Sequence, residues 1–365
     1  MRDSMKLSKS QLSALEYITL YAKGRNEEAE RTIQEVLYMS NISGETYESA
    51  IIKLKSNARI ALHFHPDRLD SNMKSVAEGL LEQGMYKSQF ETLISNGSVS
   101  AYPGGARDLW EKRMFGGAYD LESIMNQRPK YGALHLMLHP DGPAPSFGSC
   151  YFLLKTGVSS RSTYTYLDSH LEPKEKGTYA EFSDILAALL SDAFTRDCTL
   201  GEKNLTPRRL IDHLLNQLDR PISDPSTVMP VRTFNQYIEA QVHGDISLKE
   251  DVEVLVADPS FKGTHVGRLL EQICSQYSID LYWHRGSRLR VDEVPDDFRG
   301  PSMPSLAKRI AQSDYIDASI IGAAAVDLKR NPESWSDRGT SKDTLQELKL
   351  LWHVVVKYGK PQLGE

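Results

Sequence analysis

Ala58-Arg59-Ile60-Ala61-Leu62-His63-Phe64-His65-Pro66-Asp67-Arg68 is the stretch on which the fold turns. The apolar run from Ile60 to Phe64 is too short for a core helix and long enough for a buried strand. Pro66 removes a backbone donor and biases His65 towards extended backbone, so the strand is predicted to end there, with polar groups crowded at its tip.

Upstream, Leu12, Leu15 and Ile18, then Ile33, Val36 and Leu37, then Ile51, Ile52 and Leu54 recur at helical spacing, which predicts a small helical cap. Downstream, the apolar or alternating runs 131–138, 149–154, 163–166, 237–243 and 252–256 read as further strands. Gln89 to Thr92 reads as a short strand before the turn Ser95-Asn96-Gly97. Helices are predicted over 73–85, 179–194 and 207–218, the last capped by Thr206 with Pro207 in its first turn. Beyond Thr264 the pattern is mainly helical, with a hairpin-like piece from Leu281 to Val291. The expected fold class is α+β: a helical region over 1–57, a mixed β core over 58–265 and a mainly helical C-terminal extension over 266–365.

The 365 residues carry a formal net charge of -6, which gives no general attraction for a phosphate backbone, so nucleic acid is not an expected partner. Three scattered cysteines imply neither a disulfide framework nor a zinc motif. No run of about 18 apolar residues occurs, and the first residues are polar, so a soluble, cytoplasmic-type protein without membrane insertion is expected. Export into a host cytosol by a dedicated secretion system needs no apolar leader and stays compatible with this reading.

Three constellations bear on chemistry. His63 and His65 share one face at period-two spacing and are suited to a divalent metal, with His135, His139, Asp168, His170, His243, Asp245 and Asp258 available to complete a site. A metal-dependent hydrolase is therefore one reading, and two histidines hydrogen-bonded beside a core is the equally weighted bland one. Arg68, at the end of a core strand, needs an anion, either an internal carboxylate or a diphosphate. Glu239 and Gln241 fall on one face of Tyr237-Ile238-Glu239-Ala240-Gln241-Val242-His243, after a loop over 221–234. Between these, Gly104-Gly105 and Gly116-Gly117 flank Arg107, Trp110 and Phe115, where backbone can approach a ligand closely.

The strings HFHPDR, SQFETLISNG, FGGAY, YGALHL, FGSCYFLL, YLDSH and YIEAQVHGD, followed by ADPSFKGTH, resemble the DUF3626 family over about residues 58–265. More weakly, the chain is similar to the CteC family of bacterial effectors, mono-ADP-ribosyltransferases that modify ubiquitin on threonine. That resemblance implies an ADP-ribosyltransferase-like core, NAD as substrate and a host protein, ubiquitin, as acceptor. It also implies three stations in order: Arg68 on the first core strand, Ser95 with Thr92 at a hydroxyl motif, and Glu239 on a later strand. His65, Thr92, Ser95, Asn96, Gly97, Gly104 and Gly105 would join Arg68 around the cofactor, and the loop over 221–234 would recognise the acceptor. No literal Ser-Thr-Ser triplet is present, and Ser162-Thr163 with Thr165 competes with Ser95 for the second station. No metal is required on this reading; His63 and His65 are its ligands only in the hydrolase alternative.

Overall fold

The computed structural model describes residues 7–94, 101–119, 125–196, 198–221, 234 and 236–361. The chain opens with α1 (Lys9–Met39) and α2 (Gly44–Asn57), then β1 (Ile60–Phe64), α3 (Val76–Gln83) and α4 (Ala106–Met114). Four strands follow, β2 (Lys130–Leu134), β3 (Cys150–Leu154), β4 (Ser162–Tyr166) and β5 (Lys176–Thr178), and then α5 (Ser183–Thr195) and α6 (Pro207–Asn216). The last part is β6 (Ile238–Val242), β7 (Val252–Ala257), α7 (His265–Tyr277), β8 (Asp280–Trp283), α8 (Met303–Ile310), α9 (Ala318–Arg330) and α10 (Ser341–Tyr358).

The strands form one eight-stranded mixed sheet in the order β8-β7-β3-β1-β2-β6-β4-β5. Every neighbouring pair is antiparallel except β7 and β8. β1 lies in the middle, and each of its residues is buried, as the run Ile60 to Phe64 requires. Alternation sorts the sheet into two faces. One is continuously apolar, with Leu62, Phe152, Leu255, Ala240 and Tyr164 packed under the helices that supply Leu189, Leu210 and Leu270. The other begins apolar at Tyr151, Leu153, Val254 and Val256 and turns polar towards β6 and β4.

Two local expectations are corrected. Gln89 to Thr92 is a single helical turn, because Ser88 and Glu91 form a capping box in which the Glu91 carboxylate accepts from the Ser88 amide at 2.7 Å. Leu281 to Val291 is not a hairpin: Asp280–Trp283 lies parallel to β7 after the α7 crossover, and Leu289–Arg290 pairs with Tyr315–Ile316. Parallel pairing needs a helix-length connection, which α7 provides. The sheet therefore reaches past residue 265. Among the described residues, no helix is long and apolar enough to cross a membrane.

Candidate functional site

The sheet forks at its centre. β1 and β2 are paired at two positions only, Ile60 with Leu134 and Ala61 with Ala133, whereas β1 and β3 stay paired from Ala61 to Phe64. At the fork Gly132 allows close convergence, since a Cβ there would come within 2.6 Å of the Ala61 carbonyl oxygen. Beyond it a cleft of about 500 Å³ opens, with His63, Phe64 and His65 on one wall and Lys130, Tyr131 and Gly132 on the other. The volume suits a ligand of drug or nucleotide size. Lys74, Lys87, Arg107, Lys130, Arg299 and Lys349 line it, with Asp168 and Glu239 among the acidic groups.

Glu239 is placed by register. Its neighbours across the sheet are Ala133, whose small side chain leaves room, and Thr165; Gln241 stands opposite Tyr131 and Thr163. Glu239 is only 6% exposed. Its Oε1 accepts from Gln241 Nε2 at 2.9 Å and its Oε2 from the Ser169 amide at 3.4 Å. Burial, and then the negative charge of Asp168, push its pKa up to about 7, against the pull of those donors and of Arg107.

Behind Glu239 runs a buried chain of donors. Tyr119 OH lies 2.6 Å from His243 Nδ1, and His243 Nε2 lies 3.1 Å from Thr163 Oγ1. Thr163 donates to Gln241 Oε1 at 2.8 Å, and Gln241 Nε2 also reaches Thr165 Oγ1 at 3.3 Å. Burial lowers the pKa of His243 to about 3, so the ring is neutral, with one donor and one acceptor. Once Thr163 gives its proton to Gln241, His243 must donate at Nε2 and accept at Nδ1. Every bond in the chain then points towards the carboxylate, which holds it as an acceptor.

Arg107 faces this carboxylate from α4. Its guanidinium stacks 4.4 Å from the Trp110 ring and 4.6 Å from the Tyr131 ring, and its buried Nε and Nη1 have no hydrogen-bond partner among the described residues. Tyr131 is held in turn by its hydroxyl donating to Glu111 at 2.8 Å, and Glu111 and Asp108 are both paired with Arg128. A buried guanidinium with idle donors is costly unless an anion meets it. Asp168 completes the group: it accepts from Tyr237 OH at 2.9 Å and from the His170 amide at 2.8 Å.

The residues singled out from sequence divide. Glu239, His65 and Thr92 line the cleft, Thr92 with its hydroxyl donating to the Ser88 carbonyl. Arg68 is not among the lining residues; it sits beside Asp67, with Nη1 buried and unpartnered. Arg68 and Glu239 thus do not share the cleft wall, which Arg107 lines together with Glu239; the chain turns at Pro66-Asp67, after the end of β1 and before residue 68. Gly104 and Gly105 also lie off the cleft wall: they start α4, Gly105 as its N-cap, and so set where Arg107 projects. Ser95, Asn96, Gly97 and most of the loop over 221–234 lie outside the described residues. Thr163 and Thr165, of the competing hydroxyl motif, are hydrogen-bonded to Gln241 beside Glu239.

The paired histidines also line the cleft, but His63 is engaged by backbone groups. His63 lies 3.1 Å through Nδ1 from the Gly148 carbonyl and accepts at Nε2 from the Ala144 amide at 3.3 Å; burial lowers its pKa to about 4. Both ring nitrogens are thereby used. His65 rests edge-on against Trp352 and reaches Ser149 Oγ at 3.4 Å. Among the described residues, no group of three or more His, Cys, Asp or Glu side chains is placed to hold a metal ion.

The architecture is thus that of a mixed α/β protein with a forked sheet and a cleft lined by several cationic side chains. The chain belongs to the family described as Protein of unknown function (DUF3626), whose model matches residues 59–358 and so takes in both the Glu239 strand and α10. No curated protein matches the chain.

Proposed function

We propose that this protein is an NAD-dependent mono-ADP-ribosyltransferase with an ADP-ribosyltransferase-like core, Glu239 being its central catalytic residue and Arg107 its anion-holding residue. The observation that carries this reading is the buried Glu239 carboxylate, fixed by one-way donors, facing an unpaired guanidinium inside a nucleotide-sized cleft. The order of a core strand, a hydroxyl motif and a strand glutamate, which resembles that enzyme class, adds to it.

The chemistry follows from charge. The bond from ribose C1′ to the nicotinamide nitrogen breaks, the electron pair leaves with neutral nicotinamide, and positive charge develops on the ribose. Glu239, accepting from a ribose hydroxyl, stabilises that charge most where it is largest, which lowers the barrier. Arg107 offers its idle donors to the diphosphate. An acceptor hydroxyl then attacks C1′ and releases its proton to a carboxylate, either Glu239 or Asp168. The acceptor that the resemblance suggests is a protein threonine, with ubiquitin as the first candidate.

The test is incubation with NAD labelled in the adenylate portion, with eukaryotic lysate or purified ubiquitin, comparing the native chain with Glu239→Gln. Labelled polypeptide and nicotinamide release are expected from the native chain only. Absence of nicotinamide release under every acceptor condition overturns the reading.

A further inference from the structure

The cleft has a second cationic end that the reaction above does not use. α10 is pinned over the end of β1 by Trp352, whose Nε1 donates to the Pro145 carbonyl at 2.9 Å and whose ring meets His65. Lys349 and His353, one helical turn apart on α10, both line the cleft. Arg299 reaches the same place from the loop before α8, with its guanidinium 4.8 Å from the Phe234 ring and 5.1 Å from the Phe298 ring. Phe234 also lies 5.1 Å from the His353 ring.

The two charged groups, Lys349 and Arg299, lack counter-charges, while His353 is neutral because burial and these two cations lower its pKa to about 3. Among the described residues, neither Lys349 nor Arg299 makes an ion pair or a hydrogen bond, and the buried Nδ1 of His353 has no partner. Asp168 attracts Lys349 only from beyond ion-pair range, while Arg299 repels it. Burial and that repulsion bring the Lys349 pKa down to about 8, and an anion seated between the two cations relieves the repulsion. Arg107 has other neighbours, its guanidinium lying on the Trp110 and Tyr131 rings, whereas Arg299 lies on Phe234 and Phe298.

We infer that Lys349 and Arg299, with His353 and the Phe234 face beside them, form a second oxyanion site in the cleft that binds a phosphate group of a ligand. The locus itself stands on the cleft geometry; which ligand brings the phosphate, the NAD donor or an anionic acceptor, rests on the proposed transfer reaction.

Inorganic pyrophosphate titrated into the full chain by calorimetry is the direct probe, because it needs no turnover. Lys349→Met and Arg299→Gln are each expected to weaken it by about tenfold, the loss of one charge-assisted contact. Unchanged affinity in the double variant, or a loss seen only with Arg107→Met, overturns the inference. Should NAD prove not to be cleaved, the titration still decides the locus. Where it is cleaved, a raised KM for NAD hydrolysis without acceptor in Lys349→Met assigns the phosphate to the donor. An unchanged donor KM with a raised acceptor KM assigns it to the acceptor.

Discussion

Two strands of the sheet carry conspicuous polar groups, and they use them in opposite ways. The tip of β1 has His63, His65, Asp67 and Arg68 within six residues. Yet both His63 nitrogens are bound to backbone, and Arg68 lies off the cleft wall. β6 shows only Glu239 and Gln241, but a chain of donors converges on that carboxylate, and an idle guanidinium lies opposite. Unmatched atoms occur at both places, Arg68 Nη1 and Asp67 Oδ1 as well as Arg107 Nε and Nη1, so the difference teaches that a site is recognised less by which residues crowd together than by which unmatched groups line a cleft.

The strongest way to break the comparison is Arg107→Met. Removing a charge-assisted donor that acts on the ligand is expected to cost about 10²–10³-fold in kcat/KM for NAD cleavage, with the melting temperature little changed. A variant at Arg68 of the same kind should leave kcat/KM within about threefold per folded molecule. If Arg68 and Arg107 exchange these outcomes, the anion is held at β1 after all.

His63→Ala is the counterpart on the structural side. It strands the Gly148 carbonyl and Ala144 amide and opens a cavity where Gly142 now packs against the ring. Denaturant unfolding should show a loss of about 3 kcal/mol. Activity per folded molecule should persist, and a selective loss of activity without loss of stability would return His63 to the chemistry.

The strands were legible in the sequence wherever burial on both sides forced an apolar run, as at Ile60 to Phe64 and Val252 to Ala257. The place of Glu239 on one strand face with Gln241 was legible too, through alternation, whereas the role expected of it came from the order of stations that the resemblance implies. Two local signals run against the strand and hairpin expectations: Ser88 and Glu91 spell a capping box, and the span between Ala257 and Asp280 is long enough for a crossover. What could not be read is the set of long-range meetings. Arg107 is 132 positions before Glu239 and Lys349 is 110 after it, and no periodicity links them. Thr163 and Thr165, already the rival hydroxyl motif, carry a further signal in their period-two spacing, which matches that of Glu239 and Gln241 on the adjacent strand.

Asp67 supplies a pH-dependent contrast at the tip of β1. Burial raises its pKa from 3.8 to about 6, and its Oδ1 has no partner among the described residues. The folded protein therefore holds this proton over a range in which the unfolded chain has released it. Stability on this account falls as pH rises from about 4 to about 6, by an amount on the order of 2–3 kcal/mol. Asp67→Asn should flatten that window in urea titrations at several pH values; an unchanged slope would assign the ionisation elsewhere.

The smallest effect, and the one that most sharpens the contrast, concerns Gln241. If the reactive form of Glu239 is the carboxylate, kcat/KM rises with pH through about 7 and levels above it, because the raised pKa leaves much of the group protonated below that point. Gln241 donates to the charged form, so Gln241→Met should lift the midpoint of this limb to higher pH and lower the plateau by about tenfold. A merely structural glutamine would alter stability and leave the midpoint where it is. Thr163→Val, one bond further back, should move the midpoint in the same direction by less, since it acts on the carboxylate only through the Gln241 amide. A shift from Gln241 without one from Thr163 would confine the brace to a single residue, and the one-way chain from Tyr119 would then serve packing instead of charge.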